Sequence, residues 1–474
     1  MPPVTKLGWE IPLAACCLML GSLLLAADGW YTEGDFVPIS RVKLVLENPL
    51  DSVRRDCPVI VSREAMPVKD LYETWITVVD PSLPAQPAPT DEQMQKFGGH
   101  LAREETNGHF LHYQLDDIDK DGIWDELFFM TDFQPREKKV IYLYVGETSR
   151  GMYEHETHAE IGSYGRHLVP IWESKAVGWK LWFPTDVDLL MKPRPVLVGN
   201  MEDVLNLSGY NVPPEFGTDG MTVSNTFGAG GIGLFEDPAR PDFVSRPRFS
   251  PFRDKGPMAN TRYSFDVVSN GPLRSMVSTR TMNWRSGKGT YELVQYYTSY
   301  KNKSYSTCRV LFTRFRPSEP RTEFGCGIRA IMNEDKVFQK DGVVISSGRN
   351  VELLNPTRFE PWRNRVQVDF EGIALVVKDR YRPRYQYVPV PTGEAAKEMM
   401  KLLGTRPEDI IGANHAFRVP LTRDLTFEYM MAAGWSNGYV NRTPEEFREY
   451  VLESAAEYNH PVEIRELSVE HNRR

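Results

Sequence analysis

Short runs of β-branched and aromatic residues, each closed off by Gly, Pro, Asn or Asp, recur along most of this chain and constrain its fold more than any other feature. A first series comprises Val42–Leu46, Val59–Val61, Trp75–Val79, Phe110–Leu115, Leu127–Met130 and Val140–Val145. A denser series follows: Tyr263–Val268, Arg274–Thr281, Tyr291–Tyr300, Tyr305–Phe315 and Glu323–Ile331, then Val366–Phe370, Ala374–Val377, Phe417–Leu421 and Phe427–Ala432. Side chains alternate across a strand, so such runs bury one face. Many of them joined by short turns make antiparallel sheets, packed as a sandwich or closed as a barrel. Only two helices are expected. Glu394–Leu403 is stopped by Gly404, a natural residue just past a helix end. The last helix starts at a capping box of Thr443 and Glu446, with Pro444 in its first position. Its Phe447, Tyr450, Val451 and Ala455 form one apolar stripe that must dock on a sheet. The expected fold is mainly β: one large antiparallel β-sandwich spanning 28–474, with a mutarotase-like supersandwich as one form of it, long loops and a C-terminal helix.

The start of the chain points to export. Lys6 is the only basic residue before an uncharged apolar run, Ile11–Ala27, which ends in small residues. That pattern is a secretory signal peptide, expected to occupy 1–27. The run is short for a transmembrane helix, which needs roughly 20 apolar residues. An uncleaved anchor is the alternative, because Glu10 makes the start atypical. Cys16 precedes most of the apolar core, which argues against a lipidation site. No later run is long enough to span a bilayer, so the mature chain is expected in the periplasm or secreted. A net charge of −8 argues against a nucleic-acid partner. Cys57, Cys308 and Cys326 remain after signal removal, allowing at most one disulfide. Cys308 and Cys326 are placed either as a cross-hairpin pair or as buried free thiols.

Between Gly151 and Gly256 regular alternation fades while Trp, His, Gly and Pro accumulate. Long irregular connections on a β scaffold are where function concentrates, and Trp172, Trp179, Trp182 and Tyr210 argue against disorder. The binding surface is therefore expected here. Two further motifs stand out. Asp117, Asp119, Asp121 and Asp125, with Gly122 at the sixth position and the Ile123 carbonyl at the seventh, match the first part of a calcium loop. Phe128 stands where an EF-hand needs its bidentate Glu, so the expectation is a structural Ca²⁺ in a hairpin turn, against the alternative of a solvated acidic turn. The glycine cluster Gly228–Gly233 lacks the strand-then-helix context of a dinucleotide fingerprint. It reads as close backbone approach within a sheet, and no nucleotide cofactor is expected. His155 and His158 read as a surface turn, while His167 is the better candidate for acid–base work. Trp faces with neighbouring charges suit a sugar ring, which puts Trp172, Trp179, Lys180 and Arg166 among the substrate-binding candidates. The competing reading for the tryptophans is core.

Trp172-Glu173, Asp186-Val187-Asp188, Gly217-Thr218-Asp219, the glycine cluster and Asn270-Gly271-Pro272-Leu273-Arg274, in that order, resemble the bacterial domain of unknown function family 4861, as do the acidic turn and Gly434-Trp435 before the last helix. Members are typically encoded in polysaccharide-utilisation loci, and some are similar to dehydratases acting on ulvan oligosaccharides. The resemblance implies an exported carbohydrate-active protein that eliminates water from the terminal uronic acid of an oligosaccharide. Elimination next to a carboxylate needs a base, an acid and a stabiliser of the charge that develops. His167 and Tyr210 are the candidates for base and acid. Arg274, Lys180 and Arg166 are the candidates for holding the carboxylate, with Glu173 and Asp219 orienting them. The chain departs from the family at Asn211, where many members carry His, and at Lys180, where Arg is usual. If that His is the family's base, this chain either lacks elimination or takes its base from elsewhere. The rival readings are a glycoside hydrolase pairing Glu173 with Asp186 or Asp219, and a non-catalytic glycan-binding protein.

Overall fold

The computed structural model describes residues 29–30, 38–68, 76–84, 90–92, 95, 109–145, 154–164, 167–182, 186–198, 218–221, 223, 226–237, 239–240, 243–247, 260–350, 368–403 and 412–472. The expected signal segment and Gly404 lie outside them. Among the described residues no helix is long and apolar enough to cross a membrane.

Among the described residues five open, antiparallel sheets are formed, and none of them closes into a barrel. The largest has eight strands in the order Arg262–Asn270, Arg274–Ser286, Gly289–Tyr300, Tyr305–Arg316, Thr426–Trp435, Val368–Val377, Val343–Asn350 and Asn333–Lys340. Its inner face packs against two others. One is a five-stranded sheet in the order Thr218–Asp219, Asp186–Met191, Val177–Trp182, His167–Ser174 and Thr157–Tyr164. The other has four strands, Gly231–Phe235, Glu323–Arg329, Asn414–Val419 and Arg384–Val388. Alternation explains the contact: in Gly289–Tyr300 every second residue is buried, so Tyr291, Leu293 and Tyr297 enter the shared core. There Trp172 stacks on Tyr297 at 4.6 Å and Phe324 on Phe427 at 4.2 Å between ring centroids.

A smaller sandwich precedes it. Five strands, Glu463–His471, Ser40–Glu47, Lys138–Val145, Ile76–Asp80 and His109–Phe110, face three others, Arg54–Ser62, Glu126–Phe133 and Tyr113–Asp116. Val42, Leu44, Val59, Leu127, Phe129 and Leu143 fill its core. The last strand pairs with Ser40–Glu47, so the end of the described chain returns to its beginning. The outer face of the large sheet is covered in turn, by Phe128 from the small sandwich and by Phe447 and Val451 of the C-terminal helix Pro444–Asn459.

That helix begins as expected: Thr443 Oγ1 accepts from Glu446 N at 3.2 Å. The Glu446 carboxylate accepts from Arg442 N at 2.8 Å, one residue before the position a capping box uses. Phe447, Val451 and Ala455 are buried, and the Tyr450 hydroxyl accepts from Ser304 N. Gly372 and Gly434 make room for this docking, since a Cβ on either would sit 2.5 Å and 2.8 Å from the Phe447 ring. The expected strands Val366–Phe370 and Ala374–Val377 are described as one, Val368–Val377, with 366–367 outside the described residues.

Other differences have equally local causes. Phe110–Leu115 is broken at Leu111-His112, and its halves join different sheets. Asn333–Lys340 and Glu463–His471 escape sequence reading because they are edge strands, largely exposed and rich in charge. The largest correction concerns 151–256, where regular strands run from Thr157 to Met191. Their core-facing residues are apolar but the alternate ones are charged, which hides the pattern. Cys57, Cys308 and Cys326 are free and buried. Cys308 and Cys326 sit on different sheets, so the hairpin pairing fails.

Burial pushes the thiols of Cys57 and Cys308 up to about 12. Both should resist alkylation in the folded protein and react once denaturant unfolds it, as mass spectrometry would show. Phe447→Ala should lower stability by about 3–5 kcal/mol in urea denaturation, the usual loss for emptying a buried aromatic site.

Candidate functional site

In the five-stranded sheet of the large sandwich, Ala159, Trp172, Trp179, Leu181, Val187 and Leu189 point into the core. The period of two sends His158, Glu160, Glu173, Lys180, Asp186 and Asp188 to the opposite face. That face of the sheet, turned away from the core, would ordinarily be solvated. Instead Glu173, Asp186 and Asp188 are at most 1 % exposed, and His158 and Lys180 are buried too.

Three ion pairs neutralise the face. Lys180 Nζ lies 3.2 Å from Asp188 Oδ2 and 5.7 Å from the centre of the Trp182 ring. Arg246 Nη2 donates to Asp186 Oδ1 at 2.8 Å. Lys192 donates to Glu173 Oε2 and also to the carbonyls of Ser174 and Val196 at 2.7 and 2.8 Å. Gly178, opposite Glu173 in the register, is packed closely against Leu190, since a Cβ there would lie 3.2 Å from Leu190 Cβ. Burial lowers the pKa of Lys192, and the Glu173 charge opposes the shift. Each buried ion costs several kcal/mol of lost hydration, so the pairing is what makes the face tolerable.

His158 stands between two carboxylates. Its Nδ1 is 3.5 Å from Glu173 Oε1 and its Nε2 is 3.7 Å from Glu160 Oε2. Both distances are too long for a strong hydrogen bond. Buried Nδ1 makes none to any described residue. An imidazole within reach of two carboxylates is placed for proton transfer. Burial pushes the Glu160 carboxyl up, with the Glu173 charge adding to this and His158 opposing it.

Of the residues expected from sequence, Glu173 and Lys180 come together on this face. Trp172 and Trp179 do not: both are in the core, and Trp172 Nε1 donates to Ser306 Oγ at 2.8 Å. Arg274 is also elsewhere. It is buried on the outer side of the large sheet, bound to Asp116 and to Glu126, the latter at 2.6 Å, with its guanidinium 4.6 Å from the Phe128 ring centre. It joins the two sandwiches, with its Nε and Nη2 donors taken by these carboxylates. His167 opens its strand opposite Tyr164, and Asp219 pairs with Leu190, but their side chains lie outside the described residues. Arg166, Tyr210 and Asn211 lie outside them altogether. His158, in a strand rather than a surface turn, was missed, with Glu160, Asp188, Lys192 and Arg246. The available signal was the spacing His158-x-Glu160 and Asp186-x-Asp188, which puts each pair on one face of a strand.

The acidic loop brings Asp117, Asp119 and Asp125 together, with one carboxylate oxygen of each within 4.8 Å of the others. Asp121 turns away to accept from Ile123 N at 2.8 Å, and the Ile123 side chain is exposed. Asp117 accepts from Lys120 N and Gly122 N at 2.7 and 2.9 Å, and Lys120 and Gly122 both adopt positive φ, so the carboxylates shape the turn themselves. The glycine cluster is packed as expected. Gly228 has φ +56°, and a Cβ on it would lie 2.1 Å from Val187 O; Gly231 opens the strand Gly231–Phe235.

The sequence matches the family described as Domain of unknown function (DUF4861) over residues 46–464. The chain belongs to this family. No curated protein matches it in sequence. Two solved structures are similar to it, a protein in the glycosyl hydrolase family 38 and an alpha-mannosidase, both from Enterococcus faecalis. Each is 10% identical, and the TM-scores are 0.44 and 0.42. The alignments cover 92% and 91% of this chain but 48% and 46% of those structures, so the chain spans about half their length.

Glu160 offers a test of the site's electrostatics. Its folded-state pKa is raised above the ordinary 4.5, so the stability it contributes is present at low pH and lost as pH rises through the raised value. Glu160→Gln removes that loss. Its melting temperature relative to the unmutated protein should therefore climb between acid and neutral pH, and a flat difference would contradict the burial of this carboxyl.

Proposed function

We propose that this protein is an exported carbohydrate-active enzyme, a carbon–oxygen lyase that removes water from the terminal uronic acid of an oligosaccharide. It would act in the periplasm or outside the cell, after loss of an N-terminal signal at about residue 27. The observation that carries the reading is His158, held between Glu160 and Glu173 on a face where Glu173, Asp186 and Asp188 each have a cationic partner. Titratable groups gathered on a face at a desolvation cost mark functional sites more often than structural ones.

The chemistry assigns the roles. A base removes the proton next to the uronate carboxylate, the electron pair forms the ring double bond, and the neighbouring hydroxyl leaves as water with a proton from an acid. His158, set between Glu160 and Glu173, is suited by position to take the proton. Lys180, paired with Asp188, is suited to the carboxylate on which negative charge builds up. His158 and Lys180 lie two strands apart, on the order of 10 Å, with Glu173 and Ile171 on the strand between them. Tyr210 and His167 remain the proposed donors of the proton to the leaving water, and Arg166, Asn211 and Asp219 the proposed neighbours of the sugar. Glu173 and Asp186 are each engaged by a buried cation, which weighs against their serving as a hydrolase pair.

Incubation with uronate-ended oligosaccharides should give rising absorbance from the conjugated product and a mass lower by one water. His158→Asn should reduce kcat by about 10²–10⁴-fold while leaving the melting temperature close to that of the parent. No new absorbance across a broad uronate panel would sink the proposal. A structural Ca²⁺ in the loop Asp117–Asp125 is proposed alongside. Metal analysis of chelator-free protein should find stoichiometric calcium that Asp119→Ala abolishes, and protein without calcium would remove it.

A further inference from the structure

A cavity of about 270 Å³ lies on the far side of the large sheet, walled by the small sandwich and the C-terminal helix. We propose that it is a second ligand site, for one sugar acid. Its size is just below the usual range for small-molecule sites, roughly 300–1,000 Å³, and so suits a single ring.

Charge decides the ligand's sign. Most of the ionised groups around the cavity are already matched: Arg54 with Glu457 at 3.8 Å, Arg274 with Glu126 at 2.6 Å and Lys378 with Glu428 at 2.6 Å. Arg309 is different. Among the described residues it has no carboxylate partner, and its guanidinium lies 4.9 Å from the centre of the Tyr296 ring. A lone guanidinium fork beside neutralised pairs selects a carboxylate, which it binds with two parallel donors.

Hydroxyls and ring faces decide the rest. Tyr296, Tyr305 and Tyr458 line the cavity, and none of their hydroxyls hydrogen-bonds to a described residue. Tyr305 is 7 % exposed and the Tyr458 hydroxyl is buried outright. A buried hydroxyl without a partner, as at Tyr458, is costly, and a ligand that brings hydroxyls of its own recovers that cost. The tyrosine rings supply flat apolar walls of the kind that pack on the C–H face of a pyranose. A carboxylate on a polyhydroxylated ring satisfies all three features, whereas a bare anion leaves the hydroxyls and rings unused. This site is separate from the face around His158, and its argument does not depend on the proposed lyase reaction.

The test is calorimetric titration of the full chain with D-glucuronate, methyl glucoside and inorganic phosphate. Saturable glucuronate binding is expected, weakened at least tenfold by Arg309→Met and several-fold by Tyr458→Phe. Arg309 is on the surface, so its variant should melt like the parent, and Tyr458→Phe keeps the ring. Absence of saturable glucuronate binding would overturn the proposal. So would a loss caused by Lys180→Met but not by Arg309→Met, which would place the binding on the other face. Equal affinity for methyl glucoside or for phosphate would overturn the sugar-acid assignment.

Discussion

The large sheet is covered on both faces over its central strands, and the other parts of the molecule are arranged to make that so. An antiparallel sheet ordinarily leaves one face to water. Here the inner face meets two smaller sheets across a core containing Trp172, Tyr297, Phe324 and Phe427. The outer face meets the small sandwich and the C-terminal helix through Phe128, Leu273, Phe447 and Val451. Covering both faces is what gives the chain two distinct interior environments, one dry and apolar, the other containing tyrosines and ion pairs.

Buried charge is handled in the same manner wherever it occurs. Arg274 crosses between the two sandwiches and binds Asp116 and Glu126, while Gln114 closes the network through the backbone of Leu273 and Arg274 at 2.9 Å. Glu173 with Lys192, and Lys180 with Asp188, do the same on the sheet face around His158. Such pairs contribute little net stability, because hydration lost offsets attraction gained, but breaking one leaves an uncompensated ion. Their value is geometric: they fix where charges stand. His158 is the group on this face whose neighbours are close enough to feel and too far to hold it tightly.

Strands with apolar alternation on one side were readable from the sequence, as Gly289–Tyr300 and Tyr305–Arg316 illustrate. So was the last helix, since Thr443, Pro444 and Glu446 announce its start locally. Edge strands were not, because exposure on both faces removes the apolar period. The strands carrying the candidate site were hidden for the opposite reason. Both of their faces are buried, one by apolar residues and one by charges, and a charged residue in sequence reads as exposed.

The sequence by itself determined the β architecture, the helix positions and the family, since each depends on residues near one another along the chain. It also supplied Glu173 and Lys180 as residues of the site. Tertiary structure alone decided that Arg274 braces two sandwiches, that Trp172 and Trp179 are core, and that His158 meets Glu173 from a neighbouring strand. Residues 116 and 274, or 158 and 173, become neighbours only through strand pairing and sheet packing, and no local propensity encodes which partner a buried charge will find. The Ile11–Ala27 segment stays where the sequence left it, as the reason to look for this chemistry outside the cytoplasm.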